Sequence, residues 1–111
     1  MFIISEEWML RAGVRAELRE LGIKALGMET DADVGAALAV GESPSVVVID
    51  GNSRAASDAA VQQLIKRIPA IVIASRTSTI SLGAAAKVLF RPVQIREIVA
   101  AVIDLLKGRR A

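Results

Sequence analysis

Asp50 closes an apolar run, Val46-Val47-Val48-Ile49, and Gly51-Asn52-Ser53 follow it at once. A short continuous run of β-branched residues reads as a strand buried on both faces, the kind a parallel sheet requires. A carboxylate at the carboxyl end of such a strand stands where open α/β sheets keep their ligands and chemistry. Asp before Gly is also ordinary turn chemistry, so on these residues alone Asp50 could equally begin a turn or cap the next helix.

Composition narrows the chemistry further. The chain has 111 residues, 53% of them hydrophobic and 23% charged, which suits one domain with a real core. It contains no cysteine and no histidine. That excludes a disulfide framework, thiolate metal sites, and hydrolases built on Ser-His-Asp or Cys-His. No apolar stretch approaches the roughly 18 to 20 residues of a membrane span, and Met1-Phe2-Ile3-Ile4 enters a strand-like run with no basic leader. The expectation is a cytoplasmic protein without a membrane partner. A net charge of only +2 and 3% aromatic residues leave no base-stacking platform, so no nucleic acid is expected on this domain.

Strand-like and amphipathic segments alternate five times along the chain. Phe2 to Ile4 read as the first strand and residues 6 to 21 as a helix striped by Leu10, Val14, Leu18 and Leu21. Ser5 is its expected N-cap, Glu6 and Glu7 suit its positive end, and Gly22 stops it. Residues 23 to 28 make a weaker strand, and a short helix from about Asp31 turns Val34, Ala37 and Leu38 inward before Gly41. Ser45 to Ile49 are the third strand, and Ser57 is expected to cap a helix carrying Val61, Leu64, Ile65 and Ile68. Ala70 to Ala74 and Lys87 to Phe90 complete the sheet, and Ile95, Ile98, Val99, Val102, Leu105 and Leu106 stripe the last helix. Such alternation predicts parallel strands joined by right-handed crossovers, with helices on both faces. Between strands four and five, Thr77, Thr79 and Ile80 are β-branched and Gly83 follows. The stretch from Thr77 to Ala86 is therefore expected to be the most mobile part, with a fourth helix that is short or irregular.

Five βα units of this length, with Asp50 ending the third strand, Leu21-Gly22 closing the first helix and Arg91-Pro92 after the fifth strand, resemble the response-regulator receiver family typified by CheY. The resemblance implies a doubly wound, five-stranded parallel sheet of flavodoxin or CheY type, with strand order 2-1-3-4-5. It covers residues 1–107 as a receiver-like domain; residues 108–111, read from their own basic composition, are expected to be a tail. By the same resemblance Asp50 matches the phosphoacceptor, and Asn52 matches the position that offers a metal its backbone carbonyl. Glu6 matches the second metal-binding acid. Ser5 stands where the first acid belongs. Ala74 falls on the hydroxyl position by direct count, Ser75 takes it with a one-residue shift, Arg91 replaces a lysine, and Val88 replaces a switch aromatic.

These departures matter physically. Mg²⁺ wants near-ideal octahedral geometry from hard oxygen ligands, so a set reduced to Glu6, Asp50 and Asn52 is expected to hold it only weakly. The planar guanidinium of Arg91 does not replace a compact ammonium beside one phosphoryl oxygen. The expectation is a degenerate, or pseudo-, receiver that is not an enzyme. It would work in signal transduction through a protein partner, such as a histidine kinase, a phosphotransfer protein or an effector domain. The alternative is a working two-component phosphoacceptor that takes a phosphoryl group on Asp50, with Ser75 and Arg91 assisting.

Two further features stand out. Arg11, Arg15 and Arg19 lie at i, i+4 and i+8, a solvated stripe aided by Glu7 and Glu20 or else a docking face. Trp8, the only tryptophan, is expected to pack as a lid over the start of the first helix. No Gly-rich phosphate loop of the P-loop or dinucleotide type occurs.

Overall fold

A computed structural model describes residues 1–75 and 87–108 of the chain. Its elements are β1 (Phe2–Ile4), α1 (Trp8–Glu20), β2 (Leu26–Met28), α2 (Asp31–Ala39), β3 (Val47–Asp50), a 3-10 turn at Arg54–Ser57, α3 (Ala59–Arg67), β4 (Ala70–Ala74), β5 (Lys87–Phe90) and α4 (Ile95–Gly108). All strand pairs are parallel and the order across the sheet is β2-β1-β3-β4-β5, as the alternation and the resemblance required. The expectation for Thr77 to Ala86 lies outside the described residues.

Strand alternation divides the core into two layers. Ile3, Val48, Ile71 and Ile73 face α1 and α4, where Leu10, Val14, Leu18, Ile98 and Val102 meet them. Phe2, Ile4, Val47, Ile49 and Val72 face the other way, toward Val34 of α2 and Val61, Leu64 and Ile65 of α3. Both faces of β1, β3 and β4 are covered, which is why their sequences are apolar without a break. Each such side chain contributes about 1.5–3 kcal/mol by leaving water. A Cβ at Gly13 would collide with Ile95, so the missing side chain lets α4 pack closely on α1.

Several local expectations need correction. α1 begins at Trp8 with Glu7, not Ser5, at the cap position and no cap bond from the Glu7 side chain. Ser5 stands two residues earlier, where its hydroxyl accepts from the Glu7 N–H while donating to Asp50. Leu21 is 57% exposed instead of joining the stripe. The helix ends at Glu20, Gly22 takes φ 78°, and the returning Ile23 N–H donates to the Leu18 carbonyl at 2.9 Å. Partly buried Ile23 thus packs where Leu21 was expected. The cap of α3 is Asp58, which accepts from the Ala60 and Val61 N–H groups, while Ser57 lies in the preceding 3-10 turn. β2 is shorter than the apolar signal, and β3 runs from Val47 to Asp50. α2 carries a reciprocal cap not expected from the sequence: the Asp33 N–H donates to the Thr30 hydroxyl and the Thr30 N–H to the Asp33 carboxylate.

Candidate functional site

Register builds the site. Ile4 lies beside Ile49, so the residues that follow, Ser5 and Asp50, meet at the carboxyl ends of β1 and β3. Asp50 pairs with Ile73 and Ala74 with Phe90, which brings Ser75 and Arg91 to the same edge of the sheet. The Arg91 N–H donates to the Ala74 carbonyl at 2.9 Å, and the Arg91-Pro92 peptide bond is cis. Four residues that are scattered in sequence thereby share one edge.

Asp50 is only 2% exposed, and its two carboxylate oxygens both have partners. Oδ2 accepts from the Ser5 hydroxyl at 2.8 Å and from the Arg91 guanidinium at 2.9 Å. Oδ1 accepts from the Asn52 N–H at 3.0 Å. The Ser5 hydroxyl in turn accepts from the Glu7 N–H at 3.0 Å. Arg91 reaches a second carboxylate, Glu7 Oε2, at 3.3 Å. Burial lowers the pKa of Arg91, but the hydrogen bond and charge of Asp50, with Glu7 behind them, outweigh it and hold the guanidinium above its ordinary value. Arg91 therefore stays charged at any pH the fold survives.

The other expected site residues are distributed unequally. Asn52 is at the site through its N–H, and its side-chain oxygen accepts from the Ser75 hydroxyl at 2.9 Å. The hydroxyl that can reach the Asp50 loop is thus Ser75, while Ala74 is buried in β4. Glu6 is turned elsewhere: its carboxylate accepts from the Arg54 N–H at 2.7 Å. Among the described residues no three His, Cys, Asp or Glu side chains group as metal ligands. A divalent cation on Asp50 Oδ2 would stand against a fixed guanidinium already bonded to that oxygen, so this donor set, as arranged, does not fit one.

Sequence reasoning missed Glu7 as the second partner of Arg91 and Ser5 as a donor to Asp50. The Ser5 contact had a signal in the sequence, since both residues directly follow apolar strands. The Glu7 contact spans 84 positions and had none. Because Glu7 turns to Arg91, the expected Glu7–Arg11 pair on α1 does not form. Trp8 is 69% exposed and is not a packed lid.

This is the fold of CheY-like response-regulator receiver domains, and solved structures of that kind superpose over nearly the whole chain. A receiver domain from Methanospirillum hungatei JF-1 has a TM-score of 0.74 at 13% identity, covering 99% of this chain and 96% of its own. A receiver protein from Burkholderia phymatum gives 0.75 at 20% identity, with 96% and 94% covered. The BeF3-activated receiver domain of Nitrogen Regulatory Protein C gives 0.74 at 22% identity, with 99% and 95% covered. No protein-family model and no curated protein sequence matches the chain. Among the described residues no helix is long and apolar enough to cross a membrane.

Proposed function

We propose that this chain is a receiver-like module of two-component signal transduction that acts mainly through protein–protein contact, with a degenerate phosphorylation site at Asp50. The observation that carries this reading is the engagement of Asp50: Oδ2 is held by Ser5 and Arg91 together. Phosphoryl transfer needs a free carboxylate oxygen to attack phosphorus and a cation free to neutralise the phosphoryl oxygens. Here the attacking oxygen and the cation beside it, Arg91, are spent on each other. A guanidinium committed to Asp50 and Glu7 would have to leave both before an incoming phosphoryl group could use it. We read the chain as a non-enzymatic cytoplasmic domain over residues 1–107, with 108–111 as a basic tail. Its partner would be a histidine kinase, a phosphotransfer protein or an effector domain.

A working phosphoacceptor is the second reading, supported by the Ser75 hydroxyl lying on Asn52 beside the Asp50 loop. In that reading the P–N bond of a partner's phosphohistidine breaks, a P–O bond to Asp50 forms, and the imidazole regains a proton. One experiment separates the two readings. The protein is incubated with Mg²⁺ and acetyl phosphate and weighed by mass spectrometry. The first reading expects no stable gain. A stoichiometric, acid-labile gain that disappears in Asp50→Asn would overturn it in favour of the second.

A further inference from the structure

Arg11 and Arg15 on α1 have no carboxylate within ion-pair distance among the described residues, where the pairs formed use Lys24, Lys87 and Arg91. Both side chains are nevertheless held in place. Arg11 donates to the Ser5 carbonyl at 2.6 Å, and its aliphatic stem lies 3.6 Å from where a Gly27 Cβ would stand. Arg15 Nε lies 3.4 Å from the Ala25 carbonyl. A guanidinium carries five N–H donors, so each of these has donors to spare for a ligand.

The two arginines share their helix face with Trp8, at i, i+3 and i+7. Together with Ala12, Leu26 and Gly27 they line a cleft of about 330 Å³ between α1 and β2. Its floor is a sheet edge, because among the described residues β2 pairs only with β1. Leu26 donates to the Met1 carbonyl and Met28 accepts from the Ser5 N–H, so these two residues turn their backbone groups toward β1. By strand alternation the N–H and carbonyl of Gly27 point outward from the sheet, and the aliphatic stem of Arg11 lies over the Gly27 α-carbon. The cleft thus offers an open backbone pair, two anchored cations and an exposed indole side by side. Trp and Arg are also the residue types that dominate binding energy at protein interfaces.

We propose that the α1–β2 cleft docks an extended acidic peptide segment of a partner protein. The segment adds its backbone to Gly27 at the edge of β2, places carboxylates on Arg11 and Arg15, and rests an apolar side chain on Trp8. Charge complementarity selects this occupant. Asp33 lies near enough to feel the charge of Arg11, but neither arginine has a carboxylate within ion-pair distance among the described residues, so a basic segment would meet two cations. The inference names a partner chemistry for the contact module proposed above, and it does not depend on the state of Asp50. Phosphorylation is read by mass and docking by titration, so either idea can fail without the other.

The test uses the full chain and a blocked synthetic peptide alternating glutamate with leucine and valine, with a lysine-for-glutamate peptide as the control. Trp8, as the only tryptophan, reports binding by its emission, and amide shifts map the contact. The expected result is a saturable emission change with shifts at Gly27 and along α1, weakened by salt and absent with the lysine peptide. Arg11→Glu/Arg15→Glu, shown to be folded by circular dichroism, should bind about tenfold or more weakly. Trp8→Phe, followed by the amide shifts, should bind more weakly while keeping the charge selectivity. Unchanged binding by the double charge variant, shifts confined to other faces, or no saturable change would overturn the proposal. Dimerisation of the free protein through this cleft, detected by sedimentation, would also overturn it, assigning the surface to a second copy and its acidic run Glu29 to Asp33.

Discussion

Replacing Arg91 by methionine tests the central feature of the site, the ion pair that holds Asp50. Methionine keeps much of the aliphatic stem, so the loss is chiefly one of charge and hydrogen bonding. Breaking a buried ion pair by removing one partner costs about 3–5 kcal/mol, because a charge is left buried and uncompensated. Here the Asp50 side chain is 3% exposed but that of Arg91 is 24% exposed, so water can partly replace the guanidinium. Ser5 and the Asn52 N–H also remain on the carboxylate. The expected cost is therefore about 2–3 kcal/mol, at or just below the lower end of that range, or roughly 8–12 °C in melting temperature for a domain of this size. Asp50→Asn should cost less, about 1 kcal/mol, because Arg91 keeps Glu7 and some solvent. The double variant should then be less damaged than the sum of the singles, with about 1–2 kcal/mol of coupling. Urea unfolding at neutral pH measures all three. Additivity to within about 0.5 kcal/mol, or a loss in Arg91→Met smaller than that, would show that the pair behaves like a surface contact and refute the reasoning.

Other expectations follow from single contacts. Thr30→Ala removes half of the reciprocal cap on α2 and should cost about 1 kcal/mol in urea unfolding. The Asp33 carboxylate is held below its ordinary pKa by N–H donation from Thr30 and Glu29, so its contribution is present at neutral pH and lost as pH falls below about 4. Asp33→Asn should accordingly be less stable than the native chain at pH 7, with the gap closing in acid. Gly22→Ala forces a side chain into φ 78° and should destabilise by about 1–2 kcal/mol, visible as a lower melting temperature. Ile71 is fully buried between α1 and α4 in the central part of the sheet; Ile71→Val should cost about 0.5–1.5 kcal/mol and Ile71→Ala about 2–5 kcal/mol.

The sequence by itself determined the fold. Continuous apolar runs at Val46 to Ile49 and Ala70 to Ala74 require burial on both faces, and their alternation with helical stripes makes a parallel sheet covered on both sides the solution. The helical stripes of Leu10, Val14 and Leu18, and of Ile98, Val99 and Val102, named the faces that cover it. The sequence also put Asp50, Ser5, Ser75 and Arg91 at strand ends, where a parallel sheet gathers such residues. Exact element ends were less legible, because Ser5, Ser57 and Leu21 each fit a local rule that tertiary contacts overrode: Ser5 bonds Asp50, Asp58 takes the cap, and Ile23 folds back where Leu21 would have packed. Only the tertiary structure decided which polar side chains satisfy one another. Glu7 could have paired with Arg11 along its own helix, yet it pairs with Arg91 from the far end of the chain. Local periodicity carries no information about a contact across 84 positions. That one choice leaves Arg11 without its neighbour and draws Arg91 between Glu7 and Asp50. The physical reason is burial: at 2% exposure Asp50 needs a counter-charge, and among the described residues the sheet brings it Arg91.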